Sequence, residues 1–541
     1  MMAIREMNLS FDNSFCSKKN VRAMKRNFYL LLAIVIASGC NSKNEKSSSE
    51  ASQVNPPNIV YILADDLGYG DISIYNSESK INTPTIDSFA MESMRFTDVH
   101  APSSVCTPSR YGILTGDYCW RSRLPEGVVS GYGQPLIEPD QPTVALLLKN
   151  HNYTTAAIGK WHLGLGWVVK PGHESALQIP QNDPEGTKMV RDMNPDDIDF
   201  TKPPTDGPLT HGFDYSYILP ASLDMEPYCY LQNDTLTSAL SSTTKGNELN
   251  PKDSPNYATG AFWRPGLMSP DFDFNNVLPH FTDKAVDYIK QQSKSTKPYF
   301  LYFAMPSPHT PWLPSKEFIG KSKAGAYGDY VMEVDAMVKR VLDAIEESGK
   351  ASNTIVIFTS DNGPYWRPQY VEKYNHHAAY IFRGMKADAW EGGHRVPFIV
   401  RWPGHIKQNT VSSITTTLAN LTATCAELVG GDLQAKSALD SYSILPVLLQ
   451  RPDSLSAQRT IINESSHGLF AVRQGDWKLI EGLGSGGFSK PVTEQAKPEE
   501  AKGQLYNIRS DPSETKNLYL EDPKRVEELS HVMDSIRKRT Q

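Results

Sequence analysis

Four short runs of apolar and β-branched residues in this chain each lead to a cluster of chemically competent polar side chains. Asn58–Ala64 ends at Asp65-Asp66, and 155–159 ends at Lys160-Trp161-His162. Residues 298–304 lead to Pro308-His309, and Thr354–Ser360 ends at Asp361-Asn362-Gly363. Residues 398–402 form a fifth such run. Near-continuous apolar strands belong in a sheet that is covered on both faces. Between the runs, 282–293 and 327–349 carry helical periodicity. In the second, Val331, Val334, Val338, Val341, Leu342 and Ile345 recur mostly at spacings of three and four. Alternating strand and helix predicts an α/β fold with a mainly parallel sheet. Such sheets bind ligands beyond the carboxyl ends of their strands, so the four runs deliver acids, an amide and bases to one edge.

The acids and the amide, Asp65, Asp66, Asp361 and Asn362, offer only oxygen ligands. That set suits a hard divalent cation, Ca²⁺ or Mg²⁺, rather than zinc. The cations Lys160, His162, His309, Lys386 and Arg110 are the groups to place around an anion. His376 and His377, after Asn375, read as surface or rim residues. The formal charge is −7, from 54 Lys and Arg against 61 Asp and Glu. Nucleic-acid binding draws on a basic face that this balance does not supply. An anionic small substrate is compatible with it, provided the cations gather in one pocket.

The stretch 102–116 is the most informative. Read alone, Cys106 is a small buried hydrophobe near a helix start, with Pro108 as an early helical residue. That leaves the neighbours and the Arg at fixed spacing unexplained. Cys106-Thr107-Pro108-Ser109-Arg110 resembles the maturation and active-site signature of the formylglycine-dependent sulfatases. Further matches follow in the family's order: 58–66, Gly159-Lys160-Trp161-His162-Leu163-Gly164, His211-Gly212-Phe213-Asp214, Asp361-Asn362-Gly363 and 386–397. Near the C-terminus, 475–480 and 505–518 resemble its small terminal domain. The resemblance spans roughly residues 56–520.

It implies an alkaline-phosphatase-like α/β catalytic domain at 56–452 and a smaller α+β domain at 453–541. It also implies a mechanism. A maturase oxidises Cys106 to formylglycine, whose hydrate attacks sulfur with Asp361 as base. One metal, usually Ca²⁺, is held by Asp65, Asp66, Asp361 and Asn362, with the group derived from Cys106 in the same set. Arg110, Lys160, His162, His309 and Lys386 offset charge on the transferring group. His309, with Lys386, protonates the leaving alcohol, and the second hydroxyl of the hydrate expels sulfate. An inert glycan-binding protein on the same scaffold would lose the nucleophile or the metal ligands, and all are intact here.

Residues 165–280, long and weakly periodic, read as substrate walls, with 223–228 among them. Trp263, Trp312, Trp366 and Trp390 are candidates for stacking on sugar faces, and His467 is a candidate contact reaching over the pocket from the terminal domain. Residues 318–329 resemble the start of the corresponding helix in N-acetylgalactosamine-6-sulfatases. The expected substrate is therefore a 6-O-sulfated galactose or N-acetylgalactosamine in polysaccharides such as glycosaminoglycans or mucins. The alternatives are another sulfated glycan, or a phosphate or phosphonate monoester.

The first forty residues read as an address. Lys25 and Arg26 precede an apolar run over 28–37, and Ser38-Gly39-Cys40 follows. The run is an export signal and falls short of the roughly 20 apolar residues that a spanning helix needs. Residues 37–40 resemble a lipobox, which implies lipidation of Cys40, a membrane attachment through that anchor, and a periplasmic, outer-membrane or cell-surface location. Residues 41–55 read as a flexible tether. Removing 1–39 takes away six Lys and Arg and two Asp and Glu and leaves a formal charge of −11. Apart from the anchor and Cys106, the mature chain keeps Cys119, Cys229 and Cys425, so at most one disulfide forms among them.

Overall fold

The apolar runs condense into one sheet of ten strands in a computed structural model that describes residues 56–178, 192–247, 260–433, 437–451 and 460–539. In chain order the strands are β1 Asn58–Ala64, β2 Met94–Phe96, β3 Thr154–Lys160, β4 Tyr215–Leu219, β5 Leu231–Gln232, β6 Thr235–Leu236, β7 Tyr299–Ala304, β8 Thr354–Ser360, β9 Phe398–Arg401 and β10 Thr410–Ser412. Across the sheet they run β10-β2-β9-β8-β1-β7-β3-β4-β5-β6. β8, β1, β7, β3 and β4 are mutually parallel. The sheet's antiparallel pairs are β9 with β8 and β2, and the turned-back β5 and β6 at the other edge. The register pairs Leu63 with Ala304 and Ala64 with Ser360. The central strands therefore finish level, and the residues after them share one edge.

Alternation along β1 explains why the sheet is covered on both faces. Ile59, Tyr61 and Leu63 enter one core, and Val60, Ile62 and Ala64 enter the other. The first core is closed by α2 (Cys106–Thr115), α3 (Val144–Asn150) and α6 (Leu421–Val429), and the second by α1 (Pro84–Met91), α4 (Val277–Gln292) and α5 (Gly325–Glu347). Each fully buried aliphatic side chain contributes about 1.5–3 kcal/mol, so the two layers make the strand ends a rigid platform. The predicted helices at 282–293 and 327–349 are α4 and α5. α4 begins earlier because Val277, Leu278 and Phe281 extend its buried stripe.

Residues 460–507 form an antiparallel four-stranded sheet of β11 (Thr460–Glu464), β12 (Phe470–Gln474), β13 (Trp477–Ile480) and β14 (Gln504–Asn507). Ile462, Val472, Leu479 and Leu505 pack on Leu529, Met533 and Ile536 of α7 (Pro523–Arg537). Ala471, Ile480 and Tyr506 pack on Ala389 and Trp390. The small sheet thus rests on the segment that follows Lys386. The described residues fold as one compact unit. The expected break between 452 and 453, Cys40 and the tether at 41–55 lie outside the described residues. No described helix is long and apolar enough to cross a membrane. Cys106, Cys119, Cys229 and Cys425 are all buried free thiols, so the one disulfide allowed by the sequence does not form.

Candidate active site

The site grows directly from the level strand ends. Asp65 and Asp66 follow β1, Lys160 closes β3 with His162 two residues on, His309 follows β7, and Asp361 and Asn362 follow β8. The loops stay paired beyond the strands: Asp65 N donates to Ser307 O at 3.0 Å, and Asp361 N donates to Ala64 O at 3.1 Å. Gly159 sits at φ +108° inside β3, where a Cβ would collide with the Ala304 carbonyl. Only glycine accepts both conditions, and the bend delivers Lys160 to the edge. Asp66 (φ +64°) and His162 (φ +58°) also occupy the left-handed region, a strain that collects at functional sites. Asp66 is held there by its N–H to Asp361 Oδ1 at 3.2 Å and by Tyr327 Oη donating to its carbonyl at 3.2 Å.

Cys106 is the first residue of α2 and is only 3% exposed. Its loop is fixed from two sides. Thr107 Oγ1 donates to the His162 carbonyl at 2.9 Å, and Ala387 N donates to the Ser104 carbonyl at 2.8 Å. Donor atoms of Cys106, Asp65 and Asp361 lie within 4.8 Å of one another, as do those of Asp65, Asp66 and His309. Lys160 Nζ donates to Asp65 Oδ2 at 2.7 Å, and Lys386 Nζ donates to Asp66 Oδ2 at 2.9 Å. Burial raises the Cys106 thiol pKa, against the opposing pull of Lys160 and Lys386.

The acids are driven apart electrostatically. Burial opposes ionisation of Asp65, but Lys160, His309 and Arg110 outweigh it and hold the group well below the usual range. Burial and the Asp65 charge push Asp361 up to about 7. Burial, Lys160 and Arg110 push His162 well down, so it is a neutral imidazole. Burial and Lys386 lower His309 as well. Lys386 stays charged: burial opposes this, and Asp66 overrides it.

The residues fit a divalent cation. Among the described residues, Asp65 Oδ1 and Asn362 Oδ1 are buried without hydrogen-bond partners, as are both ring nitrogens of His162. Buried orphan acceptors are rare in native proteins. Two of them on predicted ligands, in a donor set of oxygens, match a hard cation.

The structure redirects several expectations. Arg110 joins the site but does not face an anion freely. Its Nε and Nη2 donate to Asp361 Oδ2 at 3.0 and 2.8 Å, and Nη1 donates to the Lys160 carbonyl at 2.8 Å. Trp312 and Trp366 are not stacking platforms. Both are 5% exposed and pack with Tyr327 and Tyr370 in the core. Trp390 is 3% exposed; the Arg383 guanidinium covers its ring at 3.6 Å, and its Nε1 donates to Gln504 Oε1 at 2.9 Å. Trp263 is half-buried against Phe274. His376 is not a rim residue: it is buried, with Nε2 2.7 Å from Asp71 Oδ1, while His377 is exposed. His467 is exposed on a loop whose neighbour Ser466 donates its N–H to the Ala387 carbonyl at 3.0 Å, next to Lys386.

Sequence reading assigned no individual role to three residues that the structure brings to the site. Ser222 Oγ accepts from Lys160 Nζ at 3.2 Å. Asp224 lies beside His309. Asp71 accepts from Gly68 N at 2.6 Å and from Tyr327 Oη, so it braces the Asp66 turn. Ser222 and Asp224 sit in the long excursion singled out as a substrate wall, which was the available signal.

A family profile described as Sulfatase matches residues 57–431. The N-acetylgalactosamine-6-O-sulfatase of Bacteroides thetaiotaomicron is 32% identical, covering 94% of this chain and 98% of its own. Arylsulfatase A of Bos taurus is 30% identical, covering 86% and 83%. A solved structure from the metabolism of multiple glycosaminoglycans by Bacteroides thetaiotaomicron is 30% identical with a TM-score of 0.74, covering 90% of this chain and 100% of its own. With relatives of known activity aligned along nearly its whole length, the chain belongs to the sulfatase family and is a sulfuric ester hydrolase.

Proposed function

We propose that this sulfatase desulfates a carbohydrate, with 6-O-sulfated galactose or N-acetylgalactosamine in a polysaccharide as its substrate. It does so as an exported, lipid-anchored protein whose Cys106 is converted by a maturase to formylglycine. The observation that carries the chemistry is the buried cluster of Cys106, Asp65 and Asp361, with donor atoms within 4.8 Å of one another and two lysines beside it. The relative named as an N-acetylgalactosamine-6-O-sulfatase, aligned over 94% of the chain, favours the sugar and the position.

Formylglycine supplies an oxygen nucleophile in its hydrated form, and Ca²⁺ held by Asp65, Asp66, Asp361 and Asn362 supplies Lewis-acid polarisation of the sulfate. The chain's own residues do the rest. Arg110 locks the Asp361 carboxylate with two hydrogen bonds to one oxygen. Lys160 and Lys386 flank the place where an anion must sit, in a dry site where fixed charges act strongly, whereas His162, expected as a cation, is neutral and brings no charge there. On the other side, His309 Nδ1 is 2.6 Å from the Thr310 carbonyl, which leaves Nε2 as its working nitrogen. Lys386 Nζ, held in its protonated form, is the group able to hand a proton to the departing alcohol, and His309 Nε2 shares that role only when its imidazole carries a second proton, which burial and Lys386 oppose.

The test is peptide mass spectrometry of Cys106 in protein from its native host, combined with a panel of esters. Formylglycine at position 106 and fastest release from galacto-configured 6-sulfates are expected. Unmodified Cys in active protein, or faster hydrolysis of phosphate or phosphonate monoesters, overturns the reading. Removing divalent cations with a chelator is expected to lower turnover by at least about 100-fold and to lower Tm, because the acids lose their counter-charge. Ca²⁺ restores both quantities. Restoration by Zn²⁺ in preference to Ca²⁺ would refute the oxygen-ligand assignment.

A further inference from the structure

Asp224 belongs to no step described so far, although it is 6% exposed and lies against the leaving-group side of the site. Its carboxylate is held asymmetrically. Arg264 Nη1 donates to Oδ2 at 2.6 Å, and the Asp224 carbonyl accepts from Arg264 N and Nη1, each at 3.1 Å. The other oxygen, Oδ1, has no hydrogen-bond partner among the described residues. It is 4.0 Å from His309 Nδ1, beyond hydrogen-bond reach, and that nitrogen is engaged with the Thr310 carbonyl at 2.6 Å. Asp224 therefore does not orient His309. Burial alone would raise its pKa, but His309, Arg264 and Lys386 hold it below the usual value, so Oδ1 is an acceptor in want of a donor.

The segment around it is rigid. Two residues before, Ser222 bonds Lys160. Two residues after, Glu226 Oε2 accepts from Tyr132 Oη at 2.8 Å and from Leu267 N at 2.9 Å. Residues 222–226 thus run from the lysine on Asp65 to the histidine at the leaving alcohol, and they place a fixed, unpaired acceptor there. An unpaired buried carboxylate oxygen is costly, and a sugar carries hydroxyl donors beside the ester it loses, whereas an aryl sulfate has none.

We infer that Asp224 Oδ1 accepts a hydrogen bond from a hydroxyl of the sugar, on the ring carbon next to the sulfate-bearing arm, and so reads that carbon's configuration. This rests on the carbohydrate reading above and adds to it the residue that selects the sugar. A buried acceptor built for a hydroxyl discriminates strongly against an analogue that cannot fill it.

The test compares Asp224→Ala and Asp224→Asn with wild type on N-acetylgalactosamine 6-sulfate, on its gluco-configured epimer and on 4-nitrophenyl sulfate, which has no hydroxyl, with melting curves as the folding control. For Asp224→Ala, kcat/KM on the galacto sugar is expected to fall about 10- to 100-fold. The loss on the aryl sulfate is expected to be at least about tenfold smaller, and preference between epimers is expected to collapse. Asp224→Asn keeps an acceptor and recovers part of the loss. Equal losses on sugar and aryl sulfate would place Asp224 behind His309 and overturn the inference. Unchanged sugar turnover in both variants, with wild type active on the sugar, would overturn the inference alone. A wild-type enzyme that cleaves the aryl sulfate but no sugar sulfate would overturn the carbohydrate reading and the inference with it.

Discussion

Cys106→Ala is expected to abolish sulfate release, by on the order of 10⁴-fold or more, while the protein still folds. Covalent catalysis divides the displacement of a poor alkoxide leaving group into two steps, and alanine leaves no atom to carry the first. The structural cost is small because one sulfur is removed from a packed helix start, about 1 kcal/mol by comparison with other single-group core truncations. The controls are internal. Cys119, Cys229 and Cys425 are equally buried, and burial raises each thiol pKa. None of the three has a lysine among the groups acting on it, whereas Lys160 and Lys386 both act on Cys106. Alanine at each of those three positions is expected to leave kcat within about twofold. The measurement is sulfate release from a sulfated sugar, with circular dichroism melting to confirm the fold. Substantial activity in Cys106→Ala would mean that another group attacks sulfur.

The strand ends were legible because a parallel sheet converts position along the chain into position in space. Once 58–64 and 354–360 are adjacent parallel strands, Asp65, Asp66, Asp361 and Asn362 have to meet at one edge. Periodicity carried that information, as it carried α4 and α5. The aromatic residues were not legible in the same way. Trp312 and Trp390 have the composition of a sugar platform, but whether a ring faces solvent depends on distant partners. Tyr327, Tyr370 and Trp366 enclose Trp312, and Arg383 covers Trp390. The pairing of Arg110 with Asp361 was not legible either, because residue spacing fixes a helix position and not which of several charges the guanidinium will meet. Asp224 was hidden for another reason. It lies in an irregular excursion with no period, and its meeting with Arg264, 40 residues on, is set by loop packing.

Lys478→Met is expected to destabilise the protein by about 3–5 kcal/mol, the cost of leaving buried carboxylates without their cation. Lys478 is fully buried on β13, where its Nζ lies 3.1 Å from Glu391 Oε1, 2.8 Å from Glu514 Oε1 and 3.2 Å from His394 Nε2. His394 Nδ1 is 2.9 Å from His100 Nδ1, and His100 Nε2 is 2.8 Å from Asp98. The lysine donates to His394, so His394 donates to His100 and His100 donates to Asp98, which fixes both imidazoles as neutral tautomers. His100, Glu391 and His394 bring donor atoms within 4.8 Å of one another, but the ammonium already supplies the positive charge that a metal would bring. This network ties the terminal sheet to the segment that carries Lys386. For a chain of this size the loss corresponds to a Tm decrease of roughly 3–6 °C. Lys516→Met is the control: its pair with Glu521 is solvent-exposed and should cost less than about 1 kcal/mol. Burial and Glu391 push Glu514 up to about 7, against Lys478, so losing Lys478 raises it further. A carboxyl with a raised folded pKa gains stability as pH falls through that value and loses it as pH rises. The deficit of Lys478→Met is therefore expected to be larger at about pH 8 than at about pH 5.5, and Lys478→Met/Glu514→Gln should recover part of it. Equal Tm losses for Lys478→Met and Lys516→Met, with no pH dependence, would show that the buried network does not hold the terminal sheet in place.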